Sequence, residues 1–391
     1  MTCGTLPQVS WIVAPEAFTE HPDWPANYGA WYVAKVLDAL TANPEVWSRT
    51  ALFITYDEND GFFDHLVPPY APASPAQGRS TVDTTGELFT PRAGDGHVPG
   101  PYGLGQRVPM LVVSPWSTGG WVCSEVLDHT SIVRFVERRF GVREPNISPW
   151  RRTVCGDLTS AFDFAQRDPR PPRLPDTSAY APPDRVRHAD YVPTPPANPA
   201  LPKQEPGVRK AVPLPYDLAA DAALAGGRLT VEFANPGRAG ASFYVTSATG
   251  GPWTFTVEAG RHLSNPWTPT GAYDLTVHGP NGFLRRFKGS ATAPGAEVSA
   301  RHDCGSGDVR LVLTNGGAKP VRLTVTDGYG TEHAATYRLA PGARTTHVAH
   351  TRRTHAWYDL AVTADGDPTF LRHLAGHVET GQPSTSDPAL G

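Results

Sequence analysis

The chain contains 391 residues, of which 39% are hydrophobic, and this predicts two or three domains with sizeable cores. Its 34 basic and 38 acidic residues are spread along the chain (net charge -4), which excludes the basic surface of a nucleic-acid binder and a polybasic membrane anchor. No run reaches the roughly 20 apolar residues of a membrane span, and residues 1–20 do not resemble a signal peptide, so a cytosolic protein and an internal start both stay open.

Residues 1–165 mix helical and strand patterns. Gly29–Leu40 places apolar residues at i, i+3, i+4 and i+7, which predicts an amphipathic helix. The short β-rich runs Thr50–Tyr56 and Val108–Ser114 predict strands, the first of them most simply a buried parallel strand. Strands alternating with helices favour an α/β layer that binds ligands at the carboxyl ends of its strands.

A second helix is predicted for Asp128–Phe140. Asp128 suits the N-cap, and Gly141 stands where a left-handed residue follows the last turn. The segment Asp128-His129-Thr130-Ser131 at the helix start has two interpretations, an anion site on exposed amides or an ordinary cap. We favour the cap.

The composition changes after residue 165. Residues 166–207 are dense in proline, which fixes φ and lacks an amide donor, so they predict an extended linker. Beyond the linker, short alternating segments such as Arg228–Phe233 and Val321–Thr326 are separated by turn residues. This pattern is typical of antiparallel sandwiches.

An internal repeat divides the strand-rich part into two modules. RLTVEFANPG, ending at Gly237, resembles VRLVLTNGG, ending at Gly317, and the YDL segments that start at Tyr273 and Tyr358 also resemble each other. Both offsets are roughly 80–85 residues, the size of a small domain. We therefore predict tandem all-β sandwiches at 208–297 and 298–382, followed by a tail at 383–391.

The four cysteines, Cys3, Cys123, Cys155 and Cys304, are widely scattered and form no CxxC or Cys/His cluster. A structural zinc site is therefore not expected. Cys123 and Cys155 could pair if the protein is exported, but unpaired buried thiols are the favoured interpretation.

The segment Tyr56–His65 is the densest chemical feature. The preceding strand carries Asp57 and Glu58 to its carboxyl end, where neighbouring carboxylates raise each other's pKa unless a cation lies between them. A hard divalent metal with oxygen ligands removes that conflict, and Gly61 allows a sharp turn afterwards. The alternative is that these acids cap a helix and line a solvated loop.

His21 lies in the loop Thr19-Glu20-His21-Pro22, ahead of the first predicted helix. An isolated loop histidine is more often a surface or hydrogen-bonded residue than a catalytic one. Taken by itself, His21 is therefore a weak candidate.

These segments together resemble bacterial phosphocholine-specific phospholipases C, which belong to a phosphoesterase family within the alkaline-phosphatase-like superfamily. The resemblance is carried by Leu6–Pro22, Leu37–Pro69, Gly103–Val142 and Asn146–Phe164. The repeated modules resemble the C-terminal domain pair of that family, most closely at His278–Gly289.

The resemblance implies metal-dependent hydrolysis of phosphatidylcholine or sphingomyelin to phosphocholine and diacylglycerol or ceramide, at a transiently contacted membrane surface. It implies that Asp57 and Glu58 bind a divalent metal ion of unknown identity and that His21 contacts the phosphoryl oxygens. We assign no metal role to His65 or His129. Full-length relatives are expected to be secreted.

The sequence departs from the family pattern at its start. The Glu-Asn metal motif and the Thr or Ser nucleophile that the family places before the SWI segment are not found. We therefore expect the C-terminal part of such an enzyme, with an incomplete alkaline-phosphatase-like α/β sheet, no nucleophile in this chain and little activity alone.

Two alternatives stay open. One is an acid-phosphatase-like phosphomonoesterase of the same superfamily. The other is a non-enzymatic module that attaches to a membrane or cell surface through exposed aromatic residues such as Trp253 or Trp267, although core packing is the commoner use of tryptophan.

Overall fold

The computed structural model describes residues 5–94, 96–171, 173–183, 186, 197–200, 203, 205–292 and 295–390. Two compact units interleave along the chain: residues 1–65, 106–120 and 162–204 form the first, and residues 66–105, 121–161 and 205–391 form the second. Among the described residues, no helix combines the length and apolarity needed to span a lipid bilayer. The domain boundaries inferred from composition and the repeat stay predictions, and part of the proline-rich linker and Cys3 lie outside the described residues.

The α-helices are α1 (Ala26–Thr41), α2 (Pro44–Trp47), α3 (His129–Phe140) and α4 (Pro149–Val154). Short 3-10 helices occupy Glu16–Phe18, Thr159–Ala161, Ser178–Tyr180, Arg352–Thr354 and Pro388–Leu390. Before the first repeat, the strands are β1 (Leu52–Thr55), β2 (Gly78–Ser80), β3 (Leu88–Phe89), β4 (Gly100–Pro101) and β5 (Met110–Val113).

The remaining strands are β6 (Lys210–Ala211), β7 (Ala219–Ala225), β8 (Arg228–Asn235), β9 (Ala241–Ser247), β10 (Gly250–Val257), β11 (Arg261–Trp267), β12 (Ala272–His278), β13 (Leu284–Ser290), β14 (Ala296–Asp303), β15 (Asp308–Asn315), β16 (Val321–Asp327), β17 (Ala335–Leu339), β18 (Arg344–Ala349), β19 (Trp357–Ala364), β20 (Asp367–His377) and β21 (Ser384–Thr385).

The first unit contains α1, α2, β1 and β5. Helix α1 confirms the predicted amphipathic helix, and its start packs with the 3-10 turn through a small core that includes Phe18, Trp24 and Tyr28. The aromatic rings of Phe18 and Trp31 stack at 5.7 Å between centroids. This core holds the chain segment ahead of α1 against the helix.

The parallel arrangement predicted for the first strand is wrong. β1 pairs with β5 in antiparallel register, with Leu52 opposite Val113 and Thr55 opposite Met110. A parallel pair needs a crossover, usually a helix, but the described residues between these strands form only loops and the short strands β2 to β4. β1 is also half-buried rather than buried, so its apolar run does not mark a strand enclosed on both faces.

In the second unit, α3 begins and ends as predicted. The Asp128 carboxylate accepts a hydrogen bond from the Thr130 amide at 3.0 Å, and the Asp128 amide donates to Ser131 Oγ at 3.1 Å, which completes a capping box. Gly141 follows the helix with φ 70°. The cap interpretation of this segment is therefore confirmed.

The tandem β-domains are confirmed, and they share one sheet. Its strand order is β17-β16-β19-β20-β13-β12-β9-β10-β2, and the three-stranded sheets β11-β8-β7 and β14-β15-β18 cover the two halves. One buried cluster, including Val231, Phe243 and Phe255, fills the first module. A second, including Leu311 and Val362, fills the second.

Two buried arginines join the modules reciprocally. Arg285 of β13 donates from Nη2 to the Tyr358 hydroxyl at 2.8 Å, and Arg372 of β20 donates from Nη2 to the Tyr273 hydroxyl at 2.9 Å. The repeat aligns the arginines with each other and the tyrosines with each other. The same contact is thus made twice, once in each direction, beside the β13–β20 pairing that joins the two half-sheets.

Two tryptophans of the first module were candidates for exposed anchors. Trp253 and Trp267 pack against the core of the first module, with ring centroids 5.5 Å apart, so they are not the exposed anchors of a surface-binding module.

Cys123, Cys155 and Cys304 are all free, as favoured over a Cys123–Cys155 disulfide. Cys155 is buried and Cys304 is exposed, so only part of the buried-thiol prediction holds.

Candidate active site

The loop after β1 carries the acidic motif. The Phe62 amide donates to the Asn59 carbonyl at 2.7 Å, and Asn59 Nδ2 donates to the Phe62 carbonyl at 2.8 Å, so the two residues close a turn. Asp60 and Gly61 inside this turn have φ angles of 47° and 78°. Consecutive positive φ values favour glycine at the second position, and the sharp turn predicted at Gly61 is confirmed.

Asp57 and Glu58 stand side by side at the start of this loop, and both are exposed. The Glu58 amide donates to Asp57 Oδ1 at 3.1 Å. No helix begins at these residues, so the helix-cap alternative is wrong, whereas the solvated-loop alternative describes their surroundings. Within the described ranges, no group of three or more His, Cys, Asp and Glu side chains is arranged to hold a metal ion.

Glu20 connects the histidine loop to the acidic loop. Burial raises the pKa of Tyr56 to about 12, and the interaction of Tyr56 with the Glu20 carboxylate adds to this shift. Glu20 has φ 65°, and a Cβ on Gly29 of α1 would lie 2.4 Å from Glu20 Oε1. The absence of a side chain at Gly29 therefore leaves the space in which Glu20 reaches Tyr56.

His21 is exposed, and its ring is oriented by the backbone. Nδ1 lies 2.9 Å from the Pro22 carbonyl oxygen, which can only accept a hydrogen bond, so Nδ1 carries a proton. In the neutral ring Nε2 is then an acceptor, and only the imidazolium form donates from Nε2. Glu20 precedes His21 in the chain, and Tyr56 precedes Asp57. Glu20 and Tyr56 interact with each other.

Asp64, at the end of the acidic loop, pairs with Arg107 from the segment before β5. Arg107 Nη2 donates to Asp64 Oδ1 at 2.9 Å, and Nε donates to Oδ2, so the pair is bidentate. The Asp64 side chain is only 13% exposed, whereas the neighbouring His65 side chain is 91% exposed. The sequence alone did not identify this anchor, because its partners lie 43 residues apart.

His129 is the first residue of α3, and its neighbour Asp128 belongs to a second charged cluster. Arg151 Nη1 donates to Asp128 Oδ2 at 2.8 Å, and Arg151 Nε lies 3.2 Å from Glu87 Oε1. Glu87 is buried, with 2% of its surface exposed. No periodic pattern marks Glu87, and sequence analysis missed it.

Three parts of the chain match models of known protein families. Residues 1–143 match the profile of the phosphoesterase family, and residues 210–290 and 296–377 each match the profile of the bacterial phospholipase C C-terminal domain. These matches divide the chain into a segment similar to phosphoesterases, called the phosphoesterase segment below, and two segments similar to the phospholipase C C-terminal domain, called the two C-terminal domains. The acidic loop, His21 and the first turns of α3 all lie in the phosphoesterase segment, and the reciprocal Arg–Tyr contacts join the two C-terminal domains.

The chain is similar to several phospholipases C. It is 58% identical to the non-hemolytic phospholipase C of Burkholderia pseudomallei and 48% identical to that of Pseudomonas aeruginosa, each over 99% of this chain. It is 43% identical to the hemolytic phospholipase C of Pseudomonas aeruginosa over 99% of this chain.

The chain spans 57%, 59% and 58% of the length of these three relatives. These shares do not say which part of a relative is matched. The expectation that the chain is a C-terminal part only is not borne out by them.

Proposed function

We propose that this chain takes part in phospholipase C activity, in which water cleaves the bond that joins the phosphate group to the lipid alcohol, glycerol or ceramide. The observation that carries the proposal is the 58% identity, over 99% of the chain, to a relative named non-hemolytic phospholipase C. The acidic loop and His21 both lie within residues 1–143, which match the phosphoesterase family.

We further propose a choline phospholipid as substrate, either phosphatidylcholine or sphingomyelin, with phosphocholine as the released product. The remaining diacylglycerol or ceramide would stay in the bilayer, so the protein would contact a membrane surface transiently. Export of the whole protein is part of the same proposal. The support for this substrate, this product and export is the family resemblance of the segments Leu37–Pro69 and Asn146–Phe164.

Asp57 and Glu58 are proposed as two ligands of a divalent ion. Both are exposed carboxylates, which are the oxygen donors that hard cations prefer. The described residues do not complete the ligand set, because no third His, Cys, Asp or Glu joins these two in a cluster. When bound, a divalent ion would offset negative charge on the phosphoryl oxygens.

His21 is proposed to contact the phosphoryl group through Nε2. Because Nδ1–H is directed at the Pro22 carbonyl, the imidazolium donates from Nε2 to a phosphoryl oxygen, and the neutral ring accepts a proton there instead. The interaction between Glu20 and Tyr56 joins the loop that carries this ring to the acidic loop. Nε2 of His21 can therefore donate a proton in one form of the ring and accept one in the other. Both roles suit a reaction in which negative charge builds up on phosphate oxygens.

A chimera tests the proposal. This chain replaces the matching part of the Burkholderia pseudomallei relative, and phosphocholine release from phosphatidylcholine vesicles is measured. We expect the chimera to be active and Asp57→Asn, Glu58→Gln or His21→Ala to reduce release at least about 100-fold. Glu45→Gln is the matched control, because Glu45 is an exposed carboxylate on α2 with an Arg49 partner, and its activity should be unchanged.

The possible results of the chimera experiment lead to different conclusions. Full activity of the Asp57→Asn and Glu58→Gln chimeras would overturn the site, and faster turnover of a simple phosphomonoester than of phosphatidylcholine would favour an acid phosphatase. We expect the 391-residue chain by itself to release little phosphocholine. Release comparable to that of the chimera would overturn that expectation while supporting the phospholipase activity.

A further inference from the structure

A small cavity lies at one end of the shared sheet in the second module. It has a volume of about 130 Å³, well below the roughly 300–1,000 Å³ of pockets for drug-sized ligands. The start of β19 and the end of β20 form its floor, and the C-terminal segment around Asp387 forms part of its wall. Only a small chemical group fits such a space.

Aromatic rings and carboxylates share this cavity. Its lining includes Tyr329 and Trp357 together with Asp359 and Asp387. Lys and Arg are not found among the described residues that line it. An electronegative cavity with aromatic walls attracts a cation, because the faces of aromatic rings carry negative charge density and add to the attraction of the carboxylates.

The lining is held in place by hydrogen bonds that leave acceptor capacity. The Tyr329 hydroxyl donates to Asp387 Oδ1 at 2.8 Å, and Trp357 Nε1 donates to the Thr385 carbonyl at 2.9 Å. His373 Nε2 lies 2.5 Å from Asp359 Oδ1. These contacts use Oδ1 of Asp387 and Oδ1 of Asp359, so the second oxygen of each carboxylate can still face a bound cation.

The C-terminal segment is an ordered wall. β21 pairs with β6, so the residues that lead to Asp387 belong to a sheet. The Ser386 amide donates to the Arg209 carbonyl at 2.7 Å, which extends that pairing toward Asp387. The cavity is therefore preformed by the fold.

We propose that this cavity binds a small organic cation of the alkylammonium class. Tyr329 and Trp357 supply aromatic surface, and Asp359 and Asp387 supply the negative charge. The site belongs to the second C-terminal domain and does not depend on hydrolysis by the phosphoesterase segment. A free cation and the ammonium headgroup of a lipid share this chemistry, and the experiment distinguishes them.

The test is calorimetric titration of the 391-residue chain with tetramethylammonium and choline. We expect saturable binding of both, and at least tenfold weaker binding of 3,3-dimethyl-1-butanol, a neutral isostere of choline. Asp387→Asn keeps an acceptor for the Tyr329 hydroxyl but removes the charge, and it should weaken cation binding at least tenfold. Asp365→Asn is the matched control, since Asp365 is an exposed acid of the same module near Arg322.

Vesicles identify the source of the cation. Co-sedimentation with phosphatidylcholine vesicles that is lost in Asp387→Asn would assign the site to a lipid headgroup, and choline binding without such co-sedimentation would assign it to a free cation. No saturable binding of either cation, or binding that Asp387→Asn leaves unchanged, would overturn the proposal. Equal affinity for choline and its neutral isostere would also overturn it.

Discussion

Tyr56 interacts with the carboxylate of Glu20. Tyr56 directly precedes Asp57, and Glu20 directly precedes His21. One interaction therefore joins two short motifs from distant parts of the sequence. The interaction brings the histidine loop to the acidic loop without using any of the candidate site residues.

Tyr56→Phe should loosen the histidine loop while leaving the fold intact. The substitution removes the hydroxyl that interacts with Glu20 but keeps the ring, so we expect a loss of about 0.5–1.5 kcal/mol in unfolding free energy. Hydrogen exchange should rise at residues 19–24 more than in α1. Tyr180→Phe, at a tyrosine that is 44% exposed, is the control and should change neither quantity. Unchanged exchange at residues 19–24 would contradict this role for Tyr56.

Local chemistry made some of these features predictable. Asp128 and Gly141 mark the ends of α3 because a cap and a left-handed glycine act on the nearest turn of backbone. Gly61 is a similar case. The repeat likewise predicted two β-domains, because each copy retains the alternation of its own strands.

Long-range pairing could not be predicted in the same way. The antiparallel pairing of β1 with β5 and the Asp64–Arg107 ion pair each join segments separated by long loops. An apolar run such as Thr50–Tyr56 gives the strand but not the direction of its neighbour. A metal site at Asp57 and Glu58 would need ligands from outside their own loop, which local sequence patterns do not identify, and it stays a prediction.

Removing one tyrosine hydroxyl between the β-modules should destabilise the protein. Tyr273→Phe leaves Arg372 Nη2 without its 2.9 Å acceptor in a buried position, which costs about 1–3 kcal/mol of unfolding free energy. Tyr358→Phe should cost more, because its hydroxyl also lies 3.0 Å from His302 Nε2. Urea unfolding measures both values.

Tyr102→Phe is the control for this pair, because Tyr102 is 59% exposed and its change should stay within about 0.5 kcal/mol. Equal losses in Tyr273→Phe and Tyr358→Phe would remove the extra contribution assigned to His302. No loss in either variant would mean that the reciprocal contacts do not stabilise the joined modules.

The Glu137–Arg152 pair should make stability depend on acid pH. Arg152 donates to both Glu137 oxygens at 2.8 and 2.9 Å, and these hydrogen bonds lower the pKa of Glu137 from 4.5 to about 2. The stabilisation is present above pH 4.5 and is lost as the pH falls toward 2, because protonation removes the charge that Arg152 binds. In urea unfolding, wild type should exceed Glu137→Gln above pH 4.5, and the difference should shrink toward pH 2. A constant difference across this range would exclude the ion pair as its source.

Glu125 should give the opposite dependence. Burial is the main cause that raises its pKa above 4.5, and the charge of Asp157 adds to it, while a hydrogen bond from Ser160 and the charge of Arg134 act against them. A Cβ on Gly156 would lie 2.4 Å from the Glu125 carboxyl group, so the site has little room for water.

A carboxyl group with a raised pKa in the folded state stabilises the protein below the unfolded pKa of 4.5, and this contribution is lost as the pH rises through the folded pKa. Glu125→Gln keeps an acceptor for Ser160 and cannot ionise, so its unfolding free energy relative to wild type should increase with pH above 4.5. The matched variant Glu144→Gln, at a carboxylate outside this cluster, should show no such increase. If the Glu125→Gln difference falls with rising pH instead, the Glu125 carboxylate is stabilised by its neighbours in its charged form, and burial does not control its ionisation.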